Sequence, residues 1–420
     1  MTKSDERRSN TRFLIVSVLL GAVLGATGCT TLPRNPVPVD HLESAKIIGM
    51  PDHARALGLS PSAPMQRDFA QAMVDGGREQ GCDTRNGNPV FCILIISGGG
   101  GYGAYGAGLM NGWTASGTRP EFKIVTGIST GSLIAPFAFL GPEWDAKLKN
   151  AFTTINGDAD IVEERSLFGV LTSDSLTDTA PFRAAIARWV DESMLADVAR
   201  EHQSGRRLYV GTTNMDAQRF TVWNMGAIAS SGHPKALETF RKVLLASASV
   251  PIVMPPVFFD VEVNGEVYDE MHADGGVQSQ FFVPLDVVDL PAAIAEAQAN
   301  GFPYTPSPRM FVIRNAKFTP EPLAVDRNIV DIAARTVSSM IQAMGRSDLY
   351  QIFAIARVRG SDFHYTEVPP DFIWGADQEF DRAEMNRLYN IGYERGLTDS
   401  AWSDVPPGLF AKNTAAVALP

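Results

Sequence analysis

Three stretches of this chain have residue types and spacings that could do chemistry. Gly127-Ile128-Ser129-Thr130-Gly131 has the form G-x-S-x-G. Between a strand and a helix, such a pentapeptide makes a strained turn that lifts the serine hydroxyl off the end of a sheet, where it can attack a carbonyl. Upstream lies Gly98-Gly99-Gly100-Gly101-Tyr102-Gly103. Amides bared by a glycine-rich turn at a helix start bind negative charge. That charge could be a dinucleotide pyrophosphate, a triphosphate or a developing oxyanion. No Lys-Ser/Thr pair closes the loop, which removes the triphosphate. A dinucleotide needs an acid at the end of the following strand, and Glu121 precedes that strand instead. The third stretch is Tyr268-Asp269-Glu270-Met271-His272-Ala273-Asp274-Gly275-Gly276. In isolation its acids, histidine and Asp-Gly read as a solvated turn. A serine nucleophile needs a base. Asp274 could act directly, or a histidine could intervene, His272 and His233 being the nearest in sequence. If the segment before Asp274 is extended, His272 and Asp274 face the same side.

These residues need elements to position them. Val90 to Ile96 is an unbroken apolar run with β-branched residues, the pattern of a strand buried on both faces. Tyr105, Leu109 and Trp113 recur at helical spacing after the glycine run. A second strand over Phe122–Thr126 leads into the elbow, and a helix over Leu133–Leu140 follows it. Pro136 lies inside that helix, where it should remove a hydrogen bond and kink the axis. Strand, turn and helix twice in succession predict an α/β fold with a mainly parallel sheet. Further strands are expected at Arg207–Thr212, Arg219–Asn224, Val257–Val263 and Arg309–Ile313. Helices are expected at Lys235–Ser247, Asn328–Met344 and Asp381–Tyr393, the last with Met385, Leu388, Tyr389 and Gly392 on one face.

Taken together, and in this order, the three motifs resemble the patatin-like phospholipase family over residues 90–290. Weaker likeness runs through Gly211-Thr212-Thr213-Asn214-Met215-Asp216 and the helix around Leu388-Tyr389. The resemblance implies a three-layer α/β/α fold and a lipid acyl hydrolase, with a phospholipid or other acyl-ester lipid as substrate and no cofactor. It implies Ser129 as nucleophile and Asp274 as general base. Gly98, Gly99, Gly100 and Gly101 would supply the oxyanion hole, with Gly103, Gly127, Gly131, Gly275 and Gly276 supporting the turns. Tyr102 departs from the family, which has Arg or Lys there, and weakens the expected positive potential. A lipoprotein that binds lipid or protein through a degenerate hydrolase site is the alternative, supported by Tyr102 and Pro136.

The whole chain narrows the field further. It has 420 residues, 20% charged and 45% hydrophobic, an ordinary globular composition. A net charge of −11 lacks the footprint of a nucleic-acid binder. The six histidines include no pair at i, i+4 spacing, and three cysteines cannot build a four-thiolate site, so no metal is expected. Lys3, Arg7, Arg8 and Arg12 precede an apolar run, Phe13 to Leu24, shorter than the roughly 20 residues that span a bilayer. The following Gly25-Ala26-Thr27-Gly28-Cys29 resembles a bacterial lipobox, although Ala26 stands where Leu is usual. That resemblance implies cleavage before Cys29 and acylation of Cys29. Thr30 points to the outer membrane of the cell envelope, facing the periplasm. Export would place Cys82 and Cys92 in an oxidising compartment, either bridged or as two buried thiols. The expected organisation is a signal peptide over 1–28, a proline-rich tether and extension over 29–88, a catalytic core over 89–300, and a C-terminal part over 301–420 packed on it. An acidic body is not drawn to an anionic membrane by charge, so the acyl anchor would keep it near its substrate.

Overall fold

Val90 to Ile96 carries apolar side chains on both sides, and the fold uses both. In the computed structural model, which describes residues 32–166, 169 and 173–409, this run is part of strand β1 (Asn88–Ile96). Cys92, Leu94 and Ile96 pack into one core, and Phe91, Ile93 and Ile95 into another. The leader and Cys29 lie outside the described residues.

β1 sits at the centre of an 11-stranded sheet. Its other principal strands are β2 (Ile124–Ile128), β3 (Arg207–Asn214), β4 (Arg219–Asn224), β5 (Val257–Val263), β6 (Glu266–Asp274), β7 (Ser307–Arg314) and β8 (Asp362–Glu367). The order β3-β2-β1-β7-β8 is parallel throughout, as the strand–turn–helix pattern predicts. Beyond β3 the pairing turns antiparallel: β4 and β6 both pair with β3, and β5 with β6.

Helices cover both faces. They include α1 (Ala63–Gly76), α2 (Gly103–Ala115), α3 (Thr130–Leu140), α4 (Ala236–Ser247), α5 (Leu290–Ala299), α6 (Ile329–Val358) and α7 (Arg382–Gly396). α2, α3, α4 and α7 close the core of Leu94; α1, α5 and the C-terminal half of α6 close that of Ile95. The result is a three-layer α/β/α molecule. α2 and α7 cross at backbone contact: a Cβ on Gly108 would lie 2.0 Å from the Tyr389 carbonyl oxygen.

Two expectations need correcting, and two elements were not foreseen. The stretch before Asp274 is not a solvated turn but strand β6, with Glu270 and His272 fully buried. Its acids are taken by the N-terminal segment. Arg34 donates to both Asp216 oxygens at 2.8 Å and to Asp269 at 2.9 Å, and Arg55 donates to Glu270 at 2.8 Å. Secondly, the helix expected over Asn328–Met344 continues to Val358, and Asn328 is its N-cap, accepting from the Asp331 amide. Strand β8 and helix α1 were not legible in the sequence. α3 also runs through Pro136 to Leu140. The N-terminal segment adds two short strands, Lys46–Ile47 against β5 and Arg55–Leu57 against β4. Cys82 and Cys92 are joined by a disulfide, with Cα atoms 5.8 Å apart.

Candidate active site

Ser129 occupies a backbone conformation that an L-residue adopts only under constraint, with φ 53° and ψ −128°. The constraint is visible. Its amide donates to the Ser247 hydroxyl at 3.0 Å, and that hydroxyl donates to the Gly211 carbonyl at 2.7 Å. Its carbonyl accepts from the Ser132 amide at 2.9 Å and the Ser132 hydroxyl at 2.6 Å. The flanking glycines are required by contact. A Cβ on Gly127 would lie 2.4 Å from the Gly131 oxygen, and one on Gly131 would lie 2.4 Å from the Ile96 oxygen.

Sheet topology brings Asp274 to this serine. β2 ends with Ile128 opposite Gly211 of β3, and β6 ends with Asp274 opposite Thr212. The two strands therefore use the same edge of β3, one above the other, and their last residues meet. The Ser129 hydroxyl faces the Asp274 carboxylate and favours its ionised form, and that carboxylate accepts from the Gly276 amide at 2.6 Å. Thr213 Oγ1 donates to the Asp274 carbonyl at 3.0 Å. Asp274 is only 4% exposed. Burial pushes its pKa up to about 7, against the opposing pull of the Ser129 and Gly276 donors. Gly275 follows because a Cβ there would lie 2.6 Å from the Gly211 oxygen.

The glycine run wraps the other side of Ser129. A Cβ on Gly98 would lie 3.0 Å from Ser129 Cβ. Gly99, at φ 155°, lies so close to Asn315 that a Cβ would be 1.8 Å from its carbonyl oxygen. Among the described residues, the amides of Gly98, Gly99 and Gly100 donate to no protein group. The Gly101 amide instead donates to Glu379 Oε1 at 3.3 Å, because the chain has turned into a 3-10 helix by then. Three of the four expected donors therefore stay free. Gly103 fits under Thr130, whose hydroxyl oxygen would lie 2.3 Å from a Cβ there.

The histidine alternatives fall away. His272 does lie on the same strand as Asp274, but its Nδ1 pairs with Thr212 Oγ1 at 2.9 Å and its Nε2 faces Glu270 at 3.3 Å. His233 sits against Gly49, with its Nδ1 accepting from the Lys235 amide at 3.2 Å. Tyr102 does not replace the missing cation. Its ring stacks on Trp374 at 5.1 Å and meets Phe372 edge-on at 5.9 Å. One cluster of metal-ligating type, His53, Asp68 and His202, was not anticipated. Asp68 there is held by Arg207 at 2.7 Å and by Asn224 at 2.8 Å. Arg207 begins β3, so this group lies at the opposite end of the sheet from Ser129.

Ser129, Asp274 and the Gly98–Gly100 loop all border one cavity of about 1170 Å³. Its walls are mostly apolar, with Leu133, Phe137, Phe182, Ile186 and Leu244 prominent. Two positioning residues gave no signal in the sequence. One is Ser247. The other is Asn315, whose amide donates to Ser97 Oγ and whose Nδ2 donates to the Ser97 carbonyl, both at 2.9 Å, while its Oδ1 accepts from the Gly106 amide at 3.0 Å. Asn315 immediately follows β7, and the carboxyl ends of parallel strands are where α/β sheets bind ligands.

Residues 94–289 match the family model described as patatin-like phospholipase. This stretch is similar to patatin-like phospholipases. It contains Ser129, Asp274 and the glycine loop, whereas Asn315, Glu379 and α6 lie beyond it. Among solved structures, VipD from Legionella pneumophila is similar at 12% identity and a TM-score of 0.36, over 76% of this chain and 70% of that one. Human GIVD cytosolic phospholipase A2 is similar at 10% identity and a TM-score of 0.29, over 78% of this chain; the likeness spans about half, 53%, of that chain. No curated protein sequence matches the chain.

Proposed function

We propose that the protein is a serine acyl hydrolase acting on lipid esters, with Ser129 as nucleophile and Asp274 as its base. The observation that carries this reading is a strained serine, facing a buried carboxylate, at the wall of a large apolar cavity. The cavity suits an acyl chain. Ser129 Oγ attacks the ester carbonyl carbon while Asp274 accepts the hydroxyl proton. Free amides of Gly98, Gly99 and Gly100 receive the oxyanion. Collapse expels the alcohol, which takes the proton from Asp274 and leaves acyl-Ser129. Water then attacks the acyl carbon as Asp274 again accepts a proton; the acyl–Oγ bond breaks, that proton returns to Ser129 Oγ, and the fatty acid departs. Burial serves this chemistry, since a carboxylate with a pKa near 7 is a far better base than an ordinary one.

A fluorophosphonate probe tests the reading. Wild type should be labelled, and Ser129→Ala should not. Product analysis by mass spectrometry on mixed phospholipids should then show free fatty acid from wild type alone. Absence of labelling across a range of detergents would refute the hydrolase reading. We further propose that Cys29 is acylated and anchors the protein to the cell envelope, in keeping with the basic, apolar leader that precedes it. Incorporation of a palmitate analogue, abolished by Cys29→Ala, is the corresponding check.

A further inference from the structure

The helix that follows the patatin-like stretch is built unlike the others. α6 is 30 residues long, about 45 Å at 1.5 Å per residue. Its C-terminal half is anchored in the core by Leu349, Ile352 and Ala356. Its N-terminal half stands out into solvent. There Ile329, Ala333, Val337, Met340 and Met344 follow one another at three- and four-residue spacing along one side. Asp331, Arg335, Ser338 and Gln342 fall on the other. Among the described residues nothing covers the apolar side: Ile329 is 84% exposed and Met340 61%.

A second exposed apolar segment faces the same cavity. Ile252 is 69% exposed and holds φ at 74°, a conformation costly for a β-branched side chain. Its carbonyl accepts from the Leu176 amide at 2.9 Å, and the Val253 carbonyl accepts from Thr177 Oγ1 at 2.7 Å, so the loop is fixed with its apolar side chains outward. Val250, Ile252 and Val253 from this loop and Val337, Met340 and Ile341 from α6 line the cavity of Ser129 and are exposed at the same time. The lining of the cavity thus continues, without a polar break at these residues, onto the outer surface.

We propose that this collar docks on the surface of a lipid bilayer, with α6 lying in the plane of the interface, so that a lipid passes from membrane to Ser129 without crossing water. The inference rests on the hydrolase reading for its purpose, but not for its test. A second copy of the chain is the poorer occupant, because it would close the mouth through which substrate enters. The collar also lacks a cationic bias. Residues 249–254 carry no charge, and Asp326, Arg327, Asp331 and Arg335 balance. No described helix is long and apolar enough to cross a membrane, so the contact is superficial. Docking therefore depends on apolar insertion and not on anionic lipid.

The test uses the full chain carrying Cys29→Ala, so that no acyl anchor contributes. Co-sedimentation is measured with phosphatidylcholine vesicles and with equal mixtures of phosphatidylcholine and phosphatidylglycerol. Ile329→Glu with Ile332→Glu is the informative variant: both positions are exposed, neither lines the cavity, and acids in a first helical turn favour the helix. Wild type should bind both vesicle types alike and hold its affinity as salt rises. The double variant should bind at least ~10-fold more weakly, as the loss of two inserted isoleucines requires. It should hydrolyse vesicle lipid more slowly by a similar factor, while cleaving a soluble short-chain ester at the wild-type rate. Ser129→Ala should bind vesicles normally and cleave neither substrate, which separates failure of docking from failure of catalysis. Full binding by the double variant would overturn the proposal. So would binding confined to the anionic vesicles, or a dimer in solution that the double variant dissolves.

Discussion

A carboxylate is a useful base only when it is costly to keep ionised, and Asp274 meets that condition through burial. Its pKa of about 7 has a direct kinetic sign. The working form is ionised, so kcat/KM on a neutral ester should rise with pH to a plateau above about 7 and fall tenfold per pH unit below it. A pH–rate profile checks this, and an acid limb near pH 4 would show that the base is solvated. The same group carries a stability signature. Because the folded pKa is raised above the ordinary 3.8, the folded state holds a proton that the unfolded chain has lost. Its contribution is full below about pH 4 and is lost as pH rises through about 7. Asp274→Asn should therefore flatten the fall in thermal stability over that window while lowering kcat ~10⁴-fold. At Ser247 the expected effect is smaller. Ser247→Ala strips the Ser129 amide and the Gly211 carbonyl of their partners, and should cost ~1 kcal/mol together with a loss in kcat. The roles expected of Ser129 and Asp274 could be read from motif and order. Those of Ser247 and Asn315 could not, because a lone serine or asparagine has no pattern until the fold sets it beside the loop it holds.

At the scale of elements, glycine spacing was informative wherever backbone had to meet backbone. Gly127 and Gly131 flank the elbow because β1, β2 and α3 converge there within van der Waals contact. Gly131→Ala should consequently abolish activity and lower soluble yield, while a surface change such as Gly117→Asn should not, since nothing crowds Gly117. Strand β6 was misread for a physical reason. Its acids looked solvent-bound because their cations, Arg34 and Arg55, lie more than two hundred residues away in sequence. The disulfide adds a covalent clip between β1 and the residue just before Asp83–Arg85, the short strand that pairs with β1, and joins residues 10 apart in sequence. Chain-entropy arguments value such a loop at ~3 kcal/mol, so Cys82→Ser with Cys92→Ser should lower the melting temperature without changing KM.

At the scale of the whole molecule, the segment before α1 is part of the folded body. It extends the sheet through Lys46–Ile47 and Arg55–Leu57 and closes the charges of β6. Glu270→Ala would leave Arg55 buried without its partner, and should destabilise the fold by about 3–5 kcal/mol, measured by denaturant unfolding. The net charge of −11 takes on a local meaning. At the exposed apolar collar, Val250–Val253 carries no charge, and Asp326, Arg327, Asp331 and Arg335 balance.

By itself the sequence determined the parallel centre of the sheet, the elbow and the glycine loop, because each is written in contiguous residues: an apolar run, a glycine spacing, a helix beginning at once. Tertiary structure alone decided which carboxylate the serine meets. Two strands, β2 and β6, share one edge of β3, and only that shared edge sets Asp274 against Ser129 and sends His272 to Thr212 and Glu270. It also decided how far α6 runs past the expected Met344, and that among the described residues the apolar side of its first half is left exposed, since what covers a helix face is a property of the elements around it and not of the helix.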